Sequence, residues 1–230
     1  MQIIKYKKAG ILFLLILISN NFYGQKLPQD AWLWTTLSVD KKLSHHWGVG
    51  LDEELRLFDN MSRINLLFTN VGVSYKINSF KFSLVYRFVN KHQDDRPYSK
   101  RHRLYFDAAY KYNKKKFSIM YRLRFQGQVR DYYSSKEGKY IESYSRSKFD
   151  FTYDLNKYSP FIAAEFRYQL NNPGFHEADN LWDRMRYYVG CTYSFNKTHS
   201  VQVYYMFQHD FNNNRLENDF TLGIQYSLNL

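Results

Sequence analysis

The chain has 230 residues, is 20% aromatic with 22 Tyr and 19 Phe, carries a formal charge of +12 and has a mean hydropathy of −0.59. That is enough chain for one domain or at most two. A single cysteine, Cys191, excludes an internal disulfide and with it a disulfide-stapled extracellular module. Beyond the N-terminus no apolar stretch approaches the roughly 18 residues of a helical membrane span.

In chain order, Lys5, Lys7 and Lys8 precede the apolar run AGILFLLILIS at 9–19, and Gly24 offers a small residue for cleavage. A basic segment, a short apolar core and a small residue read as a secretory signal peptide over 1–24, because about 11 apolar residues are too few to cross a bilayer as a helix. Residues 25–230 are then the mature domain, and losing three lysines from +12 leaves it at +9. From there period-two alternation recurs almost to the last residue, predicting strands at 31–39, 46–58, 64–78, 80–90, 101–113, 116–129, 143–156, 159–170, 182–196, 199–211 and 216–229.

Within these strands one face is apolar and aromatic. Val71, Val73, Tyr75 and Ile77 alternate with Gly72, Ser74 and Lys76, and Phe80, Phe82, Leu84, Tyr86 and Phe88 with Lys81, Ser83, Val85 and Arg87. Phe117 to Phe125, Phe149 to Leu155, Met185 to Phe195 and Phe220 to Leu230 repeat the pattern. One residue breaks it: Glu53 falls in phase with Val49, Leu51, Leu55 and Leu57, which a β-bulge or a position above the lipid would explain.

A soluble sandwich or barrel would turn the apolar face inward, whereas a transmembrane barrel turns it to lipid. Strand length separates the two. Soluble strands usually hold about 5–6 residues and tilted membrane strands need about 9–11, and most of the predicted segments exceed ten. Tyr110, Tyr112, Tyr187 and Tyr193 sit near strand ends, where an interfacial girdle belongs. The expected fold is therefore all-β, an antiparallel transmembrane β-barrel in the outer membrane, since only a closed barrel leaves no unpaired strand edge in hydrocarbon.

The connections support this reading. Those after the odd-numbered strands are tight and polar: Asn78-Ser79, Asn113-Lys114-Lys115, Asn156-Lys157-Tyr158 and Asn196-Lys197-Thr198. Those after the even strands are mostly longer, as in 91–100, 132–142 and 171–180. Outer-membrane barrels keep their short turns in the periplasm. Bacterial single-chain barrels also have even strand numbers, so the eleven segments lead to an expected twelve strands, with ten as the other count. The missing element is either a short strand near 26–31 or a segment QKLPQDAW that crosses the lumen.

The opening WLWTTLSVDKKLSHHWGVGLDEELRLF (32–58), the stretch RHRLYFDAAYKY (101–112) and the closing strand together resemble the DUF2490 family of Bacteroidetes outer-membrane β-barrel proteins. The resemblance covers nearly the whole mature chain. It implies a barrel, and it implies no catalytic residue or cofactor, because the family has no established molecular function. The chain departs from many barrels in ending on Leu230 rather than on Phe or Trp.

By alternation the inward face carries Arg87, Arg101, Arg103, Arg122, Arg124, Arg146, Arg167, Arg184 and Arg186, with Arg56, Lys76, Lys81, Lys111 and Lys148 in the same phase. Its acids are Asp52, Glu54, Asp107, Asp150 and Glu165, with Asp154 and Asp219. Three functions follow from such a wall. One is a structural barrel whose lumen is filled by arginine–carboxylate pairs. The second is a narrow anion-preferring channel for small solutes, because basic walls in a narrow passage concentrate anions. The third, an outer-membrane lipid-modifying hydrolase, needs a serine–histidine pair, and none can be drawn to His102 from sequence. No metal is expected, for His92 with Asp94 and Asp95, and His176 with Glu177, lack ligand spacing. The expected partners are outer-membrane lipid, lipopolysaccharide and the barrel-assembly machinery. Nucleic acid is not among them, since the basic residues alternate with aromatics instead of forming a compact patch. Sequence gives no oligomeric state.

Overall fold

The computed structural model describes residues 29–93, 96–130, 141–171, 182–211 and 218–230. The signal peptide expected over 1–24 and the residues Asp94, Asp95, His176 and Glu177 lie outside this set. Of the separate strand or lumen segment expected near 26–31, residues 29–31 instead open the first wall strand and pair with the last, and 26–28 lie outside the described residues. Among the described residues the alternating segments become β1 (Gln29–Lys42), β2 (Trp47–Phe58), β3 (Arg63–Ile77), β4 (Phe80–Gln93), β5 (Arg96–Lys114), β6 (Phe117–Arg130), β7 (Ile141–Tyr153), β8 (Tyr158–Asn171), β9 (Trp182–Ser194), β10 (His199–Asp210) and β11 (Asn218–Asn229). The shortest have 12 residues and the longest 19, beyond what a tilted membrane strand requires.

Consecutive strands pair antiparallel, and β1 pairs with β11 in parallel from Gln29↔Asn218 to Asp40↔Asn229, which closes the ring. The closed ring therefore holds eleven strands, and the twelfth that the even-number rule calls for does not enter it. The physical reason is the seam: a parallel ladder saturates both edges even though first and last strands run the same way. That removes the edge problem which an even antiparallel count otherwise solves.

The barrel is inside out relative to a soluble one. Val71, Phe117 and Ile162 are 55%, 63% and 58% exposed on its outer wall, while Asp107, Arg124, Arg146, Glu165 and Arg186 are buried within. Apolar residues outward and charges inward is the arrangement a bilayer stabilises, and the chain is an outer-membrane β-barrel. At the short-turn end, cross-strand rings form a girdle: Trp47–Tyr75, Phe80–Tyr110, Phe117–Tyr153 and Tyr158–Tyr193, with centroids 4.8–5.0 Å apart. Such amphipathic rings anchor a barrel at the headgroup level.

Turn chemistry follows the sequence. Asn78 and Asn156 take the left-handed backbone, φ 50° and 70°, which asparagine tolerates. Between β2 and β3, Asp59, Asn60 and Met61 are all left-handed, with φ of 53°, 53° and 65°. Their amides are held: Asp59 and Asn60 donate to the Asp30 carboxylate at 3.1 and 2.9 Å, and Met61 to the Ala31 carbonyl at 3.1 Å. The expected loop at 91–100 is mostly strand, because β4 and β5 stay paired out to Gln93↔Arg96. The other two long connections, 132–142 and 171–180, fall almost wholly outside the described residues. Pro160 sits where the β7–β8 pairing is interrupted, between Thr152↔Phe161 and the bridge Leu155↔Tyr158, where a missing N–H is tolerated.

Glu53 remains on the apolar face, and the register shift of β2 lies further on, between Arg56 and Leu57. Its carboxylate accepts a 2.6 Å hydrogen bond from the hydroxyl of Thr69, its direct partner on β3. A cross-strand hydroxyl, not a bulge at the residue, accommodates the charge.

Packing in the wall is tight where Tyr204 crosses the lumen side. A methyl group on Gly190 would come within 2.6 Å of both the Val203 carbonyl oxygen and Tyr204 Cβ, contacts that no rotamer change relieves. Gly190→Ala is therefore expected to destabilise the barrel by about 1–3 kcal/mol. Gly127→Ala should be close to neutral, because its nearest atom would be 3.6 Å away. Urea midpoints followed by the mobility shift of folded barrel on gels test the pair, and equal midpoints would refute the packing argument.

Candidate functional site

Because side chains alternate strictly, every second residue of each strand meets the lumen, and hydrogen-bonded register aligns these residues into rows around it. One row runs Asp107, Arg124, Arg146, Arg167, Arg184, Asp210 across β5 to β10. Four arginines thus stand directly opposite one another, an arrangement that like charges resist. Aspartates cap both ends. Arg124 donates Nε and a terminal nitrogen to the two Asp107 oxygens at 2.6 and 2.7 Å, and Arg184 grips Asp210 in the same fork. Inside the row, Arg167 binds Asp183. Paired forks of this kind are the strongest of side-chain hydrogen bonds.

The next row places Glu165 between Lys148 and Arg186. This carboxylate, on β8, accepts from Arg122 at 2.8 Å and stands 3.3 Å from Arg186 and 3.5 Å from Arg146. One buried anion therefore ties together three guanidiniums from β6, β7 and β9. Asp150 pairs with Lys148 at 3.0 Å, Glu54 with Arg56, and Asp52 accepts from the Asn70 amide at 3.1 Å.

Two adjoining cavities lie along the lumen. A cavity of about 500 Å³ lies toward the short turns and one of about 410 Å³ toward the longer connections. Trp34, Arg56, Arg87, Arg146 and Arg186 line both and make a belt of side chains where the two adjoin. Arg56 lies 3.5 Å over the Trp34 ring, Arg186 stands 5.3 Å from the same ring, and Arg87 lies 3.8 Å over Phe68. Guanidinium planes stacked on aromatic faces are attracted by the ring quadrupole and need no carboxylate to hold them there.

Of the inward residues expected from sequence, Asp52, Glu54, Asp107, Arg122, Arg124 and Glu165 line the inner cavity and Arg101, Arg103, Arg167 and Arg184 the outer one. Arg87, Arg146 and Arg186 reach both, and Asp150 is buried in the wall. The side chain of Asp219 is outside the described set. Alternation alone gave no role to Trp34, Phe68 and Tyr105, the rings on which Arg56, Arg87 and Arg124 stack, nor to the amide partners Asn70 and Gln128. Their signal was present as aromatics in the polar phase. His102 shares a 2.6 Å hydrogen bond with Tyr86, and His199 one with Tyr226, so these strand-borne imidazoles face tyrosines rather than serines. Among the described residues no three His, Cys, Asp or Glu side chains are grouped to hold a metal ion.

A family model described as "Protein of unknown function (DUF2490)" matches residues 32–221. No curated protein shows significant similarity to the chain. Among solved structures, the translocator domain of the autotransporter NalP from Neisseria meningitidis matches with a TM-score of 0.45 and 10% identity, covering 74% of this chain and 70% of that one. That likeness is too distant to bear on function.

Proposed function

We propose, from the premise that the chain belongs to the DUF2490 family of proteins of unknown function and folds as an outer-membrane β-barrel, that it is a structural barrel whose lumen is filled and sealed by its own side chains. The observation that carries this reading is the belt. Five side chains from five strands, one indole and four guanidiniums, line both cavities where they adjoin. The stacked Trp34–Arg56 pair and the Glu165 anchor hold them from opposite walls. A partition fixed by stacking and buried ion pairs does not part for hydrated ions without losing those contacts.

A second reading, the narrow anion-preferring channel, is favoured by the arginine row. Strands of a barrel tilt against its axis, so a row in register climbs as it goes round: Arg124 lines the inner cavity, Arg146 both, and Arg167 and Arg184 the outer. Such a staircase would pass an anion from one guanidinium to the next. Planar-bilayer recording of the refolded mature barrel in a potassium chloride gradient separates the readings. The sealed barrel is expected to insert without steps, and steady anion-selective steps from the unaltered protein would replace it with the channel.

Cleavage of residues 1–24, insertion by the barrel-assembly machinery and contact of the outer rim with lipopolysaccharide phosphates belong to the same proposal. They are supported by the lysine-led apolar N-terminus and by the inside-out wall.

A further inference from the structure

We infer that the outer cavity is a binding site for an oxyanion, a phosphate or carboxylate borne by a small solute, held by Arg87, Arg103 and Arg146. Arg87 on β4 and Arg103 on β5 are direct cross-strand partners, so two like charges face each other where mutual repulsion is greatest. Neither is hydrogen-bonded to a carboxylate among the described residues. Arg87 donates Nε to the Asn70 amide oxygen at 2.6 Å, and Arg103 donates to the Gln128 amide oxygen. Neutral partners orient the two forks with no carboxylate in direct contact among the described residues.

Donors without acceptors line the same cavity. Arg146 is 8% exposed and its Nε–H has no partner; Trp34 is 6% exposed, and its indole N–H and that of Trp32 have none. Buried donors of this kind are normally satisfied, and leaving them unmade is costly. The charge is lopsided as well. Among the described residues, nine cationic side chains and two carboxylates line the outer cavity, against eight and five in the inner one. Arg167 and Arg184 have their own aspartates there, and the direct partners of Arg87 and Arg103 are amides.

The chemistry of the donors defines the ligand. Guanidinium forks match the paired oxygens of phosphate and carboxylate better than a spherical halide, and indole N–H groups add single donors. A volume of about 410 Å³ suits a small solute. Arg87 and Arg146 also belong to the belt, whereas Arg103 and Trp32 line the outer cavity alone, so Arg103→Gln tests the site apart from the seal.

The test uses the full mature barrel, refolded, with Trp47→Phe and Trp182→Phe. Those two of the four tryptophans lie exposed on the outer wall, so the remaining fluorescence comes from Trp32 and Trp34. Inorganic phosphate and citrate are titrated separately at constant ionic strength set by chloride. The expected result is a saturable change with at least one of them, weakened at least tenfold by Arg103→Gln, which removes a fork without orphaning a carboxylate. Arg87→Gln is the second variant, should Arg103→Gln lose the folded band, and Lys114→Gln at the exposed turn should change nothing. Tighter phosphate binding assigns a phosphorylated solute and tighter citrate binding a carboxylated one. No saturable response to either, or a response that both arginine variants retain, overturns the site, whatever the barrel does in a bilayer recording.

Discussion

Glu165→Gln is expected to lower the stability of the barrel by about 3–5 kcal/mol, the cost of removing one partner from a buried ionic cluster. Its side chain is 6% exposed and meets Arg122, Arg146 and Arg186, so the substitution leaves three guanidiniums, two of them buried, with a neutral acceptor. Arg146 suffers most. It already stands between Arg124 and Arg167 in the like-charged row, and Glu165 is its carboxylate. Removing that arginine as well should therefore recover part of the loss. Urea midpoints for Glu165→Gln, Arg146→Gln and the double variant measure the coupling. Strictly additive losses would show that Glu165 does not neutralise the row, and an unchanged midpoint for Glu165→Gln would show that water does the work assigned to it.

Trp34→Ala combined with Arg56→Ser should convert a silent barrel into a conducting one. The indole and the guanidinium stacked 3.5 Å above it form one wall of the belt, and removing both joins the cavities of about 500 and 410 Å³ into one passage. The current should be carried by anions, because the arginine row survives the substitution and its basic wall raises the local anion concentration. The reversal potential in a potassium chloride gradient reports the sign directly. Trp47→Ala, on the lipid side, should stay silent. A double variant that shows the folded band on a gel yet passes no current would place the seal elsewhere.

Both results depend on rows that sequence does not display. Alternation is local: residue i and residue i+2 share a face whatever the strand pairs with, so the inward set was readable from the chain alone. Arg124 and Arg146 are neighbours only because β6 and β7 take the register Arg124↔Arg146, and a slip of two residues would have kept each on its face while giving each a different partner. Glu165 shows the same limit. On the polar face it is one acid among seven, and its standing as the anchor of three arginines comes from strands meeting around a closed ring.

By itself the sequence determined the class of fold: strands too long for a soluble sheet, one face aromatic, short polar turns alternating with longer connections, and charges confined to the opposite phase. It also determined the location of eleven strands, because period two and asparagine turns are written residue by residue. The tertiary structure alone decided the parallel β1–β11 seam, the strand register and the stacking of Arg56 on Trp34. The physical reason is range. Pleat and turn preference act over two to four residues, whereas closure and register are settled by contacts between residues as far apart in the chain as Ser38 and Gln225, which share a 3.1 Å hydrogen bond, and no local pattern encodes which distant partner arrives.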